Sequence, residues 1–336
     1  MDFLHTEPEQ LIAIARRALA HWQWPADCRI ELLKLRENAV YGVTTGDGRR
    51  AALRLHRPSY HSDAALRSEL QWMAALGAHG VPTTRAIATP GGDWLVNVPV
   101  PGEGEQVPVD LLEWVDGQPI GSAENCSFEG EEAIESMYAE IGRLAAAMHE
   151  HSAGWPRPAG FMRQSWNLEG CLGPQALWGH YSALEGLSAA ELQLFERAVG
   201  VVRERLGAFG EASDRYGLVH GDLVPDNVMQ GPGGLVVLDF DDCGFGWYLW
   251  EFTTALFWHI GQGSFGAAWR GYLRGYRSLR ELPEAQLELM PAMFMMRALV
   301  YMGWMHTRRE TETAAQLRDP VLQTSVELAK ALLGEA

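Results

Sequence analysis

Residues 218–242 read LVHGDLVPDNVMQGPGGLVVLDFDD, and this stretch is the most informative part of the sequence for the fold class. His220 lies two residues before Asp222, and four residues separate Asp222 from Asn227. The apolar run LVVL that follows has the composition of a short strand, and it ends at Asp239. A carboxylate at the end of a strand is predicted to be accessible to ligands rather than buried.

The order of carboxylate, carboxamide, strand and carboxylate matches the chemical needs of phosphoryl transfer. One carboxylate accepts or orients the proton of the substrate hydroxyl group. A carboxamide and a second carboxylate offer the hard oxygen atoms that hold Mg2+ against the phosphate groups of ATP. Asp222, Asn227 and Asp239 therefore predict a phosphotransferase that uses ATP and Mg2+.

The first third of the chain is predicted to be strand-rich. Apolar residues recur at helical spacing in 8–22 and 63–77. An Asp-Gly pair in 45–49 predicts a hairpin turn. The predicted strands are 28–35, 39–44, 51–55, 94–100 and 107–115. This part therefore predicts a small sheet with one central helix.

The remainder of the chain is predicted to be helical. Amphipathic patterns predict helices over 127–149 and 188–209, and the second begins with a capping-box pair. An Asp-Pro start and a glycine stop predict a last helix from Asp319 to Gly334. Helices thus dominate the second part of the chain.

A mainly β part followed by a larger helical part indicates an α+β fold. We place the N-terminal lobe at 1–115 and the helical C-terminal lobe at 116–336. Residues 161–181 are aromatic, polar and weakly periodic. A ligand-binding loop and a packing segment are equally good interpretations of that stretch.

The pattern H-G-D-x-x-x-x-N, followed by a strand and D-F-D-D, resembles the aminoglycoside phosphotransferase family of kinase-like enzymes. The resemblance implies a protein-kinase-like fold of two lobes, with a small, mainly antiparallel β N-lobe and a larger helical C-lobe. It assigns the role of catalytic base to Asp222 and the bracing of the loop to His220. It assigns Mg2+ binding to Asn227 and Asp239.

The resemblance extends into the first third of the chain. LRLHRP places Arg54 on the third strand, where the family contacts phosphate, and RSELQW supplies Glu69 as its ion-pair partner. ENAVYGV lies where such enzymes fold two strands over the nucleotide, and it places Asn38 beside the amides that anchor phosphate. VDLLEWVDG resembles the hinge segment that holds adenine, and it assigns Glu113 and Val115 to cofactor binding.

Three features depart from the family pattern. The third-strand residue is Arg54 instead of lysine, and the only lysines of the sequence are Lys34 and Lys330. No glycine-rich G-x-G-x-x-G loop lies between the first strands. Asp239 is followed by Phe-Asp instead of Phe-Gly, so Asp241 is an additional candidate for the metal site.

Three functions compete at this point. The first is a small-molecule kinase with a hydroxyl-bearing substrate. The second is a bacterial Ser/Thr protein kinase of the stress-response type, which shares HGD…N and a late helix similar to MRALVYMGWM. The third is a nucleotide-binding pseudokinase, which Arg54 favours and the retained Asp222 disfavours. The fold does not choose between the first two, and the sequence names neither the acceptor, a preference for ATP over GTP, nor the oligomeric state.

One basic residue stands inside an otherwise apolar predicted helix. Arg297 interrupts the apolar stretch 290–305, which argues against a membrane span and for a core helix. Because a buried cation needs a partner, an ion pair with a carboxylate is the favoured interpretation and substrate contact the second.

The composition excludes some classes of partner. The formal net charge is -16 and the pI is about 5.1, which disfavours binding to nucleic acid. No basic-then-apolar leader and no long apolar run is present, so we expect no membrane association. The four cysteines are scattered without metal-ligand spacing, which favours reduced thiols and a cytoplasmic location.

Overall fold

The computed structural model describes residues 3–36, 38–58, 60–100, 104–122 and 130–335. The first of two compact units comprises Met1–Gln118, Arg157–Arg163 and Met229–Asp241. The second comprises Pro119–Pro156, Gln164–Val228 and Asp242–Ala336. Two segments beyond residue 116 thus belong to the first unit. A linear division into 1–115 and 116–336 places both of them in the second lobe.

The described residues of Met1–Gln118, in the first unit, form two α-helices and a five-stranded antiparallel sheet. The helices are α1 (Pro8–His21) and α2 (Asp63–Ala78), and the strands are β1 (Arg29–Leu35), β2 (Ala39–Thr44), β3 (Arg50–Leu55), β4 (Leu95–Pro99) and β5 (Gln106–Glu113). The strand order is β1-β2-β3-β5-β4. Alternate residues of these strands pack with the apolar face of α1 in one buried cluster, because strand side chains alternate between the two faces of a sheet.

A β-bulge in β1 changes which of its side chains lie on the face of the sheet that does not pack on α1. The register with β2 shifts between Leu32 and Lys34, so that Leu33 is an extra residue and Lys34 lies opposite Val40. Val40 in turn lies opposite Arg54 of β3. Because directly opposed residues of antiparallel strands share a face, the bulge places Lys34 on the same face as Arg54.

The rest of the chain is mainly helical. Its helices are α3 (Glu131–Gly154), α4 (Leu168–Leu172), α5 (Ala189–Phe209), α6 (Tyr248–Leu256), α7 (Phe265–Arg277), α8 (Glu284–Leu287), α9 (Met290–Thr307) and α10 (Glu312–Leu333). The short strands are β6 (Gln118–Pro119), β7 (Ser165–Trp166), β8 (Tyr216–Val219), β9 (Val228–Gly231), β10 (Gly234–Val237) and β11 (Gly244–Trp247). Within the second unit, β11 pairs in parallel with β7 and antiparallel with β8.

The α+β prediction is confirmed, and most predicted elements are present within a few residues. The last helix is longer than predicted: α10 begins after Thr311, whose hydroxyl accepts the backbone N–H of Ala314, and Pro320 lies inside it. Ala314 and Val321 are both buried, so packing outweighs the helix-breaking tendency of the proline. The predicted helix start at 127 lies outside the described residues.

Within the described part of the chain, no helix combines the length and the apolar character needed to cross a lipid bilayer. The apolar helix α9 is buried over most of its length, as predicted for a core helix.

Candidate active site

The H-G-D loop lies in the second unit, directly after β8, and the buried helix α6 holds its backbone. The Glu251 carboxylate accepts hydrogen bonds from the backbone N–H groups of His220, at 2.5 Å, and Gly221, at 3.3 Å. The backbone N–H of Leu223 donates to the Thr254 hydroxyl at 3.3 Å. Because α6 is packed in the core, these bonds orient the start of the loop.

Gly221 has a conformation and an environment that require glycine. Its φ is +86°, in the left-handed region that side chains disfavour. A Cβ atom there would collide with the carbonyl oxygen of Asp242 and would lie 2.8 Å from Trp166 Nε1. The arginine that protein kinases carry at this point of the motif would therefore require the backbone to move.

Asp222 is held by groups on both of its carboxylate oxygens. Arg297 donates to Oδ1 at 2.8 Å, and the Asn227 carboxamide donates to Oδ2 at 3.1 Å. The backbone N–H of Asp222 donates to His220 Nδ1 at 3.3 Å. The side chain is nevertheless 23% exposed. The structure thus brings three predicted site residues together and leaves Asp222 accessible to a ligand.

Arg297 is completely buried on α9, and the predicted ion pair with a carboxylate is confirmed. Its guanidinium carbon lies 4.4 Å from the ring centroid of Tyr301, 5.0 Å from that of Trp178 and 5.2 Å from that of Trp250. Burial alone would lower the pKa of Arg297, but Tyr301 and Asp222 raise it above its ordinary value. A permanently charged, aromatic-lined arginine therefore fixes the Asp222 carboxylate.

Glu251 was not predicted from the sequence. The Glu251 side chain is fully buried, and His149 Nε2 lies 3.8 Å from its carboxylate. Burial alone would raise the pKa of Glu251, but His149 and His220 lower it. The available signal was a single acidic residue inside the apolar helix YLWEFTTAL, the same kind of signal that identified Arg297.

The predicted ion pair of Arg54 and Glu69 is confirmed in the first unit. Arg54 Nη1 donates to Glu69 at 2.8 Å, while its Nε and Nη2 donate to the two oxygens of Asp110 at 2.9 and 2.7 Å. The Arg54 side chain is only 6% exposed. Each guanidinium nitrogen thus donates to a carboxylate within the protein. Contact of Arg54 with phosphate stays a prediction.

Asp110 is the carboxylate that sequence reasoning missed in this network. It lies directly opposite Arg54 in the pairing of β3 with β5, and His56 Nε2 contacts it at 2.8 Å. Burial alone would raise the pKa of Asp110, but Arg54 and His56 lower it to about 2. A charged residue in the middle of the apolar strand QVPVDLLE was the available signal.

Asp241 belongs to the same buried network. Its side chain is 8% exposed, and His61 and His56 lie 3.7 and 3.9 Å from its two carboxylate oxygens. Arg163 donates to its backbone carbonyl oxygen. These contacts favour a structural role for Asp241 over metal binding.

Asp239, in contrast, is open to solvent and has an unusual backbone. Its side chain is 40% exposed, and its φ is +57°, a left-handed conformation that is rare for residues other than glycine. Lys34 Nζ lies 3.7 Å from Asp239 Oδ2. Backbone strain of this kind is concentrated at functional sites.

The remaining predicted nucleotide-binding residues lie at the ends of two interior strands, β2 and β5. Asn38 Oδ1 accepts the backbone N–H of Arg57 at 3.3 Å. The backbone N–H of Glu113 donates to Arg85, and its carbonyl oxygen accepts the Thr84 hydroxyl. Val115 is partly buried just beyond β5. Their roles in cofactor binding stay predictions.

Trp114 adds an aromatic surface that the sequence analysis did not assign. The Arg50 guanidinium stacks 3.8 Å from its ring centroid. A Cβ on Gly42 would lie 3.4 Å from both Trp114 and Leu33, so these two side chains pack closely over the glycine.

The donor atoms present fit a hard divalent cation. The described residues contain no cluster of three or more His, Cys, Asp or Glu side chains that could hold a metal ion by itself. Mg2+ commonly binds through one or two carboxylates together with phosphate oxygens and water, so such a cluster is not needed. Both Asn227 hydrogen bonds to Asp222 use Nδ2, and Oδ1 is the atom of this carboxamide that can bind a cation.

A sequence model described as the phosphotransferase enzyme family matches residues 30–282. Amicoumacin kinase from Bacillus subtilis (strain 168) is 23% identical over 319 residues, which cover 92% of this chain and 88% of that protein. The match to the family model covers more than half of the chain. Arg297 lies outside the matched residues.

Solved structures show the same similarity. The microcompartment-associated aminopropanol kinase has a TM-score of 0.84 and 34% sequence identity, over 96% of this chain and 98% of that one. An amicoumacin kinase in complex with AMP-PNP and Ca2+ has a TM-score of 0.76 and 19% identity, over 96% and 94% of the two chains. Because the second structure is only 19% identical, it shows a similarity of fold alone.

Proposed function

Because the chain belongs to the phosphotransferase enzyme family, we propose that it transfers the γ-phosphate of ATP to a hydroxyl group of a small amino alcohol. The observation that carries this proposal is the fixed and accessible Asp222, held between Arg297 and Asn227 on a loop that α6 clamps. A carboxylate in that state can accept the proton of a bound hydroxyl group as its oxygen bonds to the γ-phosphorus and ADP leaves.

We propose Asp222 as the catalytic base and His220 as the residue that braces its loop. Arg297 and Asn227 each occupy one Asp222 oxygen by hydrogen bonding, which orients the carboxylate. The loose transition state of phosphoryl transfer places more weight on positioning than on early proton removal. These contacts therefore support orientation of the acceptor as the main contribution of the loop.

We propose Mg2+ as the divalent metal, with Asn227 and Asp239 as protein ligands. When bound, Mg2+ neutralises charge on the phosphate groups of ATP. We assign Asn38, Glu113 and Val115 to nucleotide binding. Arg54 and Glu69 support it indirectly, as a buried ion pair that shapes the sheet face.

The amino-alcohol class rests on the 34% identical aminopropanol kinase and on the charge of the chain. A net charge of -16 attracts a cationic acceptor and repels nucleic acid. The described cysteines Cys28, Cys171 and Cys243 are buried thiols rather than disulfides. Buried thiols and the use of ATP support a cytoplasmic reaction.

The test is a phosphotransfer screen with γ-labelled ATP and Mg2+. The acceptors are 1-amino-2-propanol, ethanolamine, choline, sugars, aminoglycosides and a generic protein. Labelling of an amino alcohol is the expected result. Labelling of the protein alone would favour the Ser/Thr kinase hypothesis, and binding of Mg-ATP without any turnover would favour the pseudokinase hypothesis.

Two matched substitutions in the same loop control the screen. Asp222→Asn should bind Mg-ATP but transfer phosphate about 10²–10⁴-fold more slowly, the usual contribution of a positioned base. Asp226→Asn makes the same chemical change four residues away and should retain activity within a few-fold. Equal rates for Asp222→Asn and the wild type would contradict the assignment of the base.

Amicoumacin-type antibiotics are the second candidate acceptors. The 23% identical Bacillus subtilis protein is named as an amicoumacin kinase, and it aligns over 92% of this chain. Adding amicoumacin to the same screen separates the two candidates, because preference is measured as the ratio of their kcat/KM values.

A further inference from the structure

The position at which the family contacts phosphate is occupied here by an arginine that is already engaged. Arg54 donates from all three guanidinium nitrogens to Glu69 and Asp110, and its side chain is 6% exposed. Breaking a buried ion pair is strongly destabilising, because it leaves uncompensated charge in the interior. Arg54 is therefore poorly placed to turn toward a phosphate group.

A lysine on the first strand supplies a mobile cation on the same face of the sheet. The β-bulge at Leu33 puts Lys34 opposite Val40, and Val40 lies opposite Arg54. Without the extra residue, Lys34 would lie on the opposite face, which packs on α1. The bulge thus redirects one specific side chain, a known use of bulges near active sites.

Lys34 also lies beside the proposed metal ligand of this unit. Its Nζ is 3.7 Å from Asp239 Oδ2, and the side chains of the two residues are 35% and 40% exposed. An ammonium group at this distance is a partial, solvent-accessible contact rather than a closed ion pair. A flexible four-carbon stem can move the charge from Asp239 toward an incoming anion.

We propose that Lys34 makes the lysine contact to the phosphate groups of ATP that Arg54 cannot make. In this arrangement Arg54 organises the interior of the sheet face, and Lys34 binds the nucleotide. The inference rests on the proposed function, since it assigns a residue to the ATP site of the same enzyme.

The first test labels the wild-type protein with an acyl-phosphate derivative of ATP. A lysine near the phosphates attacks the acyl carbon, an amide forms, the acyl–oxygen bond to phosphate breaks and the nucleotide leaves. The chain contains only Lys34 and Lys330, and Lys330 is exposed on α10, so it is the internal control. We expect Mg-ATP-protectable labelling at Lys34 and not at Lys330.

The second test measures binding of Mg-AMP-PNP and of adenosine to Lys34→Met and Lys330→Met. Lys34→Met cannot form the hydrogen bond between charged groups that Lys34 would make. Mg-AMP-PNP should therefore bind this variant about 10- to 100-fold more weakly than it binds the wild type. Adenosine affinity should not change, because adenosine has no phosphate, and Lys330→Met should match the wild type. Melting curves of both variants verify that they fold.

The outcomes separate the two proposals. If the wild type binds Mg-AMP-PNP and phosphorylates an acceptor, but Lys34 is neither labelled nor needed for affinity, only the assignment of Lys34 is overturned. Equal loss of AMP-PNP and adenosine affinity would also overturn it, because it would indicate a structural effect. A wild type that binds no nucleotide would overturn the proposed function and this inference together.

Discussion

At the scale of single residues, two buried arginines differ in the exposure of the carboxylates with which they pair. Arg297 orients a partly exposed carboxylate, Asp222, whereas Arg54 pairs with carboxylates that are as buried as itself. A guanidinium group can do both because its charge is permanent and its planar donors bind two oxygens at fixed angles. The exposure of its carboxylate partner is therefore our reason to propose a role in the reaction for Arg297 and a role in the core for Arg54.

Substitution of Arg297 should affect turnover before nucleotide affinity. Arg297→Lys retains the charge but loses the planar guanidinium group, whose Nη2 donates to both Asp222 and Tyr301. We expect kcat to fall with little change in the KM for ATP. Arg297→Met should cost about 1.5–3 kcal/mol of stability, because the Asp222 carboxylate that it leaves is partly exposed. Steady-state kinetics and urea unfolding measure the two effects.

The control for that pair of variants is Arg309→Lys, the same change on an exposed arginine. It should leave both kcat and stability unchanged. A folded Arg297→Lys enzyme with the kcat of the wild type would show that Arg297 does not position Asp222.

Asp110 should make stability depend on pH in the acidic range. Its pKa is lowered from 3.8 to about 2, so its contribution is complete above about pH 4 and is lost as the pH falls toward 2. The stability difference between the wild type and Asp110→Asn should be constant from pH 7 to 5. It should then shrink by about 2 kcal/mol at lower pH.

Urea unfolding at several pH values measures this difference. Asp27→Asn removes an exposed carboxylate and serves as the control, with an expected change within about 0.5 kcal/mol. A difference for Asp110→Asn that is the same at pH 6 and pH 3 would contradict the role of the Arg54–Asp110 pair.

At the scale of secondary-structure elements, glycines determine how closely α3 and α7 approach. A Cβ on Gly275 would collide with the carbonyl oxygen of Ala139, and one on Gly271 would collide with that of Glu135. A Cβ on Gly142 of α3 would likewise collide with the carbonyl oxygen of Tyr272 in α7. The two helices therefore pack backbone against backbone, which residues with side chains would prevent.

Gly275→Ala should destabilise the protein by about 1–3 kcal/mol, because the added methyl group forces the helices apart. Gly207→Ala makes the same change at an exposed position of α5 where nothing lies within 4 Å of the new atom. It should stabilise the protein by about 0.5–1 kcal/mol through helix propensity. Thermal melting of both variants gives the comparison, and equal effects would show that the α3–α7 contact is not tight.

At the scale of the whole molecule, ligand binding and folding are linked. Mg-ATP at about one hundred times its dissociation constant should add about 2.7 kcal/mol to the stability of the wild type. Asn227→Ala and Asp239→Ala should each lose most of this gain if they hold Mg2+, because both remove an oxygen ligand.

Melting curves with and without Mg-ATP test the linkage in the intact chain. AMP-PNP without divalent metal is the control, since the variants and the wild type should respond to it alike. A full nucleotide-induced shift in both variants would remove Asn227 and Asp239 from the metal site.

The sequence by itself determined the fold class, most helices and strands, and the loop that carries Asp222 and Asn227. Hydrophobic periodicity records which face of an element is buried, and the H-G-D-x-x-x-x-N motif is a local run of residues. Each of these two signals depends on residues that lie close together along the chain. The Arg54–Glu69 pair, 15 residues apart, was also predictable, but only through the resemblance to a known family.

Only the tertiary structure decided that Arg297 pairs with Asp222, that Arg54 also pairs with Asp110, and on which face Lys34 lies. Arg297 and Asp222 are 75 residues apart, and Arg54 and Asp110 are 56 apart. A charged residue inside an apolar helix or strand predicts that a partner exists, since unpaired burial is too costly. Which distant residue fills that role depends on how the elements pack, and the face on which Lys34 lies depends on how β1 pairs with β2, since the bulge is a property of that pairing.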